Sequence, residues 1–272
     1  MIKGLFKYAF MQNAFMAAIL ASIVCGIIGT IITQKKLVSM SGGIAHASFG
    51  GIGLGYLLGI EPIIGGLLFS VLASLGISTI KRKTNTYSDT LIGIFWSFGM
   101  ALGILFIALT PGYPPDMTSY LFGDILTVSS LYVKIMAVLS FIIIFSIASI
   151  FNYWRGYLFD EEFMETLGVN TLALEYILFV LISLSIVILI KVVGIILVIA
   201  LLTIPPAISK LFTYNLKKMM LLSTLVGAVF SIMGLFISYQ YNIPSGATII
   251  LLSVIGYFIA SFISKMIDKR IE

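Results

Sequence analysis

Nine times along the chain, about 20 apolar residues run together before a cluster of Lys, Arg, Pro or other polar residues interrupts them. That is the length an α-helix needs to cross the hydrocarbon of a bilayer. Lipid offers no hydrogen bonds, so a single apolar segment can satisfy its own backbone there only as a helix. The runs lie at 13–33, 43–60, 62–80, 90–109, 131–150, 174–190, 193–213, 217–238 and 247–265. They predict an all-α polytopic membrane protein in which residues 1–272 form one transmembrane domain. Lys191 is the only polar break between the runs 174–190 and 193–213, so eight spans with one re-entrant or broken helix is the alternative. Composition agrees: 60% of the residues are hydrophobic and only 10% charged, which excludes a water-soluble domain.

The basic residues set the orientation, because Lys and Arg in short loops stay on the cytoplasmic side. With Lys81, Arg82 and Lys83 inside, alternating crossings put 12 of the 16 basic residues in the cytoplasm and leave Lys3, Lys7, Lys134 and Lys191 outside. The C-terminus is then cytoplasmic. Residues 1–12 read as an amphipathic segment lying in the interface, and no small-residue cleavage site marks them as a secretory signal. The net charge of +5 is explained by these clusters rather than by nucleic acid. The lone Cys25 gives no disulfide or C-x-x-C site and reads as a small buried packer.

The only histidine, His46, falls in the run Ser41–Gly59, at membrane depth. A metal-capable imidazole there is a site candidate by default, because the chain must supply its partners. The competing reading is a ring that bonds a carbonyl across a helix interface. Gly43, Ala47, Gly51, Gly55 and Gly59 recur every four positions, with Gly42 and Gly50 flanking His46. Such a face of bare backbone lets another helix approach closely, or leaves a cavity beside the ring.

Two connections are longer than tight turns. The external one, from Thr110 to Ser130, carries three prolines with Asp116 and Asp124 among aromatics, and it is either a receiving surface or a solvated connector. The internal one, from Phe151 to Glu175, contains a short helix over 159–168. Asp160 is its N-cap, Glu161 and Glu162 suit its positive first turn, and Gly168 ends it. Phe163, Met164 and Leu167 beside these acids make an amphipathic rod with nothing of its own chain to cover it. Since acidic side chains repel anionic lipid, the rod predicts a protein partner. Pro205 and Pro206, within an apolar run, predict a break or kink that frees carbonyls at membrane depth, unless a neighbouring helix fills it. No G-x-x-x-x-G-K-[ST] occurs, so the chain cannot cradle ATP itself. No nucleophile or carboxylate pair accompanies His46, so the chain is not read as an enzyme.

The stretches SGGIAHASFGGIGLGYLLG, SDTLIGIFWSFGMALGILF, YLFGDIL, FDEEFMETLGV, VGIILVIALLTIPPAIS and IPSGATIILLSVIGY resemble, in order and spacing, the permease subunits of the ABC-type importers of manganese, zinc or iron, the ABC-3 family. The resemblance runs from about residue 12 to 265. It implies a permease homodimer in the cell membrane, cytoplasmic ABC ATPase subunits that bind the ATP, and an external metal-binding protein that delivers the ion. The metal is then a transported substrate, no cofactor is permanently bound, and the chain works by alternating access. The resemblance makes the rod the ATPase-coupling helix, with Asp160, Glu161, Glu162, Phe163, Glu165, Leu167 and Gly168 at the contact. It also places His46 in the metal pathway. Many members carry an aspartate one turn before that histidine, where this chain has Gly42, so helpers would come from Ser39, Met40, Ser41 or the second copy's histidine. The alternatives are an ABC permease for a metal chelate such as cobalamin or a siderophore, and a secondary metal transporter that needs no ATPase.

Overall fold

The computed structural model describes residues 8–84, 87–112, 120, 121 and 123–271. Its helices are α1 (Ala9–Gln34), α2 (Val38–Leu58), α3 (Pro62–Thr84), α4 (Ser88–Ala108), α5 (Ser130–Ser149), α6 (Phe151–Phe159), α7 (Glu161–Thr166), α8 (Thr171–Val193), α9 (Ile195–Phe212), α10 (Leu216–Tyr241) and α11 (Ser245–Ile271). A 3-10 turn, Ile125–Thr127, precedes α5, and no strand occurs among the described residues. Each of the nine expected spans contains one long helix, α1 to α5 and α8 to α11. Eight of them are long and apolar enough to cross a membrane by composition. The exception is α2, the His46 helix, whose glycines add no hydrocarbon. It is enclosed by protein instead, with most of its residues from Met40 to Gly55 buried.

Several boundaries move. α1 already begins at Ala9, so the interfacial segment expected over 1–12 overlaps it, and residues 1–7 lie outside the described residues. α2 starts at Val38, which puts Ser39, Met40 and Ser41 inside its first turn. α8 starts at Thr171 because the Asn170 side chain accepts the Ala173 N–H at 3.0 Å. α8 and α9 are separate helices, joined through Gly194 alone at φ +81°, a conformation that favours glycine.

The break expected at Pro205 and Pro206 does not occur: α9 is a helix from Ile195 to Phe212 with both prolines inside it. The prolines cannot donate to the carbonyls of Leu201 and Leu202, but neighbouring groups occupy that turn. The Leu202 carbonyl lies so close to Gly29 of α1 that a Cβ there would stand 2.4 Å from it; the Thr203 hydroxyl bonds the turn before, donating to the Ile199 carbonyl at 2.8 Å.

The bundle centres on α1, whose Ala14, Ala17, Ala18, Ala21, Ile28 and Ile31 are fully buried under α9, α10 and α5. α2 is held between α3 and α4. Between α3 and α8 the Ser183 hydroxyl reaches the Ser74 hydroxyl at 3.0 Å and the Ser70 carbonyl at 3.2 Å. Small residues and interhelical hydrogen bonds replace the hydrophobic drive that lipid cannot supply.

Candidate functional site

The glycine row of α2 divides between two neighbours. A cadence of four residues advances about 40° around a helix with each step, so the row turns as it climbs. A Cβ on Gly43 would meet Ile92 of α4 at 2.4 Å, and Ala47 abuts Gly99 of the same helix. Further along, a Cβ on Gly51 would stand 2.0 Å from the Gly65 carbonyl, and one on Gly55 would stand 2.7 Å from Cα of Pro62, both on α3. Gly59 does not belong to this packing row. A Cβ there would meet no neighbouring group within 4 Å, and the residue ends α2 in the left-handed conformation at φ +67°.

His46 stands on the flank that α2 turns to α4. Its ring stacks on Trp96, with centroids 4.2 Å apart and planes 3° from parallel. Its Nδ1 is buried and has no hydrogen-bond partner among the described residues. A Cβ added at Gly42, one turn earlier, would meet only Cδ1 of Ile199 at 4.0 Å, so that position has room for a side chain. Of the three expected helpers, Ser39 lies seven residues before His46 and shares its stripe by helical periodicity. Met40 is 2% exposed in the core, and the Ser41 hydroxyl is spent on the Val38 carbonyl at 2.8 Å. Among the described residues no three His, Cys, Asp or Glu side chains gather as metal ligands. The set at hand is therefore one imidazole against an indole face.

At the far end of α2, the Tyr56 and Tyr120 hydroxyls lie 3.0 Å apart. Lys191 stands over the Tyr120 and Tyr132 rings at 5.2 and 5.8 Å, and Tyr132 donates to Glu61 at 3.3 Å. Burial, and then the hydrogen bond with Tyr56, push the Tyr120 phenol above its ordinary range. Tyr120, Asp124, Thr127 and Lys191 line a cavity of about 230 Å³. Asp124 caps the 3-10 turn through the Leu126 N–H at 3.0 Å and accepts from Ser245 at 3.3 Å. The described part of the long Thr110–Ser130 connection is thus built into the protein; Asp116 lies outside the described residues.

The other end carries the amphipathic rod. α7 starts where Asp160 accepts the Phe163 N–H at 2.9 Å, and it stops at Gly168, whose φ is +77°. Phe163 and Leu167 are 57% and 62% exposed. The expectation that nothing covers the rod needs correction at Met164, which is buried against Gly156 of α6. Glu161 bonds Lys35 at the end of α1 at 2.8 Å and Arg82 at the end of α3 at 3.3 Å. Arg82 in turn grips Glu175 of α8 through both Nε and Nη2, and the Ser78 hydroxyl donates to Glu175 at 3.0 Å. Lys35 also lies 3.6 Å above the Tyr157 ring, whose phenol is pushed up by burial and then by the Glu161 and Glu175 carboxylates. Glu165 accepts from Thr171 at 2.5 Å, and Glu162 enters none of these ion pairs. One side of α7 is thus fastened to three spans while its apolar side faces outward.

The family model described as the ABC 3 transport family matches residues 7–264. The chain belongs to this family. An uncharacterized membrane protein, slr2045, from Synechocystis is 42% identical, covering 93% of this chain and 90% of its own. The manganese transport system membrane protein MntC of Listeria monocytogenes is 36% identical over 95% of this chain and 92% of its own. A solved chain of PsaBC from Streptococcus pneumoniae, in complex with Fab, superposes with a TM-score of 0.86 at 35% identity, covering 95% of this chain and 93% of that one. The ABC 3 stretches recognised in the sequence fall on α2, α4, the 3-10 turn, α7, α9 and the start of α11. The protein is a multi-pass membrane permease. Sequence reasoning missed Trp96 and Glu175, although a single carboxylate inside LALEYILF was a visible signal.

Proposed function

We propose that this ABC 3 chain is the membrane-spanning subunit of an ATP-driven importer of a divalent transition metal, with manganese favoured by the manganese transport proteins among its relatives and zinc and iron as further cargo. ATP is hydrolysed in a separate cytoplasmic chain that docks on α7, an external binding protein delivers the ion, and two permease copies form the pathway by alternating access. The observation that carries this reading is the two-sided α7, in which Glu161 and Met164 tie the helix to the bundle while Phe163 and Leu167 stay bare. A helix so mounted can receive a push from a partner and pass it to α1, α3 and α8.

His46 is the ligand on the path in this reading, supported by its orphaned Nδ1 and the open space at Gly42. α4 and α11, the least covered of the long apolar helices together with α5, offer faces for the second copy. The basic end of the bundle is then cytoplasmic, with the C-terminus on that side. The test is a reconstituted permease with its ATPase and binding protein. Phe163→Glu with Leu167→Glu should leave ATP hydrolysis running while metal uptake falls at least tenfold. Metal transport by the permease without any ATPase would overturn the assignment.

A further inference from the structure

A second candidate site lies on the flank of the bundle, away from His46. α5 and α10 both pack on α1 and leave a groove of about 710 Å³ between them. Its floor is Ile23 and Ile27, the half-buried residues of an otherwise covered stretch of α1, and its walls include Ile147 and Leu221. Leu221 is 64% exposed, so the groove opens sideways, toward what surrounds a helix that crosses hydrocarbon.

The mouth of the groove is cationic. Lys217 and Lys218 line it at the start of α10, and a neighbouring cavity of about 580 Å³ continues past them, lined by Lys217, Arg155 and Gln34. None of the three cations has an ion pair among the described residues. The Asn215 side chain is spent on the Lys218 N–H at 3.1 Å, so what remains for a ligand is positive charge and the first free N–H groups of a 26-residue helix. From Lys217 to Thr224 the groove follows α10 for seven residues, roughly 10 Å at 1.5 Å per residue.

We infer that this groove binds an anionic phospholipid, its phosphate held by Lys217, Lys218 and Arg155 and an acyl chain lying along Ile23 and Ile27. The two halves of the site demand both parts of that molecule. A free phosphate leaves the apolar floor without a partner, and an uncharged lipid leaves three cations without one. Basic residues beside a bilayer favour anionic lipid by about fivefold each.

The test uses the full-length permease in micelles doped with equal dioleoyl-phosphatidylglycerol and dioleoyl-phosphatidylcholine, read by native mass spectrometry. The unchanged protein should retain phosphatidylglycerol in clear excess. Lys217→Gln with Lys218→Gln should cut that excess about 25-fold, the product of two fivefold steps. Ala148→Trp, which fills the groove without changing charge, should abolish retention while the protein stays monodisperse. Equal retention of the two lipids, or unchanged retention in either variant, would overturn the inference. So would efficient disulfide crosslinking between copies carrying Ala148→Cys, which would make the groove a subunit interface.

Discussion

Replacing Arg82 with glutamine should destabilise the permease far more than its position at a helix end suggests. Arg82 is one-third exposed, but the Glu175 carboxylate that it holds is only 7% exposed. Without the guanidinium that carboxylate keeps a single bond, from Ser78 at 3.0 Å. Removing one partner of a buried ion pair costs ~3–5 kcal/mol, because the other charge is stranded. The solvent that already reaches Arg82 argues for the lower figure, ~3 kcal/mol. Lys35→Gln breaks its pair with Glu161 and its contact with the Tyr157 ring, but Glu161 is one-third exposed and keeps Arg82, so no buried charge is stranded and the cost should be about 1–2 kcal/mol. Arg82→Gln combined with Glu175→Gln leaves two neutral amides and should recover to within about 1 kcal/mol of the unchanged protein. The assay is unfolding of the purified permease in rising dodecyl sulfate, followed by tryptophan fluorescence in a Trp96→Phe background that leaves Trp154, fully buried in α6, as the reporter. If Arg82→Gln were no worse than Lys35→Gln, or the double variant as weak as the single one, the buried-charge argument would be wrong.

Gly51→Leu should prevent accumulation of folded protein, because its Cβ would stand 2.0 Å from the Gly65 carbonyl, whereas Gly59→Ala has open space and should cost only about 1–2 kcal/mol for its positive φ; size-exclusion profiles distinguish the two. His46→Leu should lose metal uptake at unchanged protein level, and normal uptake would reduce His46 to packing against Trp96. Gly42→Asp should fold normally and hold a divalent ion at least tenfold more tightly, since a carboxylate one turn from an imidazole completes a two-ligand set; equilibrium dialysis with manganese reads the change. A cysteine at Thr84 should react with a membrane-impermeant maleimide only from the cytoplasmic side, and labelling from outside would reverse the proposed orientation.

The sequence disclosed what is local. Runs of about 20 apolar residues mark the helices, Asp160 and Gly168 bound α7, and the small residues of α2 announce close packing, because each depends on neighbours within a few turns. Partners distant along the chain were not legible. Nothing near Glu175 names Arg82, 93 residues earlier, as the group that neutralises it. Trp96 carries no periodic signal that it would face His46. The four-residue row was read as a single face, but its drift around the helix hands Gly43 and Ala47 to α4 and Gly51 and Gly55 to α3. Of the two outcomes open for the prolines of α9, a break or a turn filled by a neighbouring helix, the structure shows a continuous helix with Gly29 of α1 against the Leu202 carbonyl, a partner far along the chain.

The central place of α1 has a consequence for how the protein is made. α1 leaves the ribosome long before its main partners, α9 and α10; the contact between Gln34 and Met219 closes a separation of 185 residues. Until then α1 must wait among lipids with its future interface uncovered. Alanine and isoleucine wait there without penalty, as lipid tails are as apolar as they are. The hydroxyls at its middle could not, were they unbonded, but Ser22 donates to the Ala18 carbonyl at 2.7 Å and Thr30 to the Gly26 carbonyl at 2.6 Å, each within α1 itself. The buried hydroxyls of Ser22 and Thr30 are therefore satisfied within the helix before any partner arrives, while Asn13 and Gln34 toward its two ends wait for Val128 and Met219.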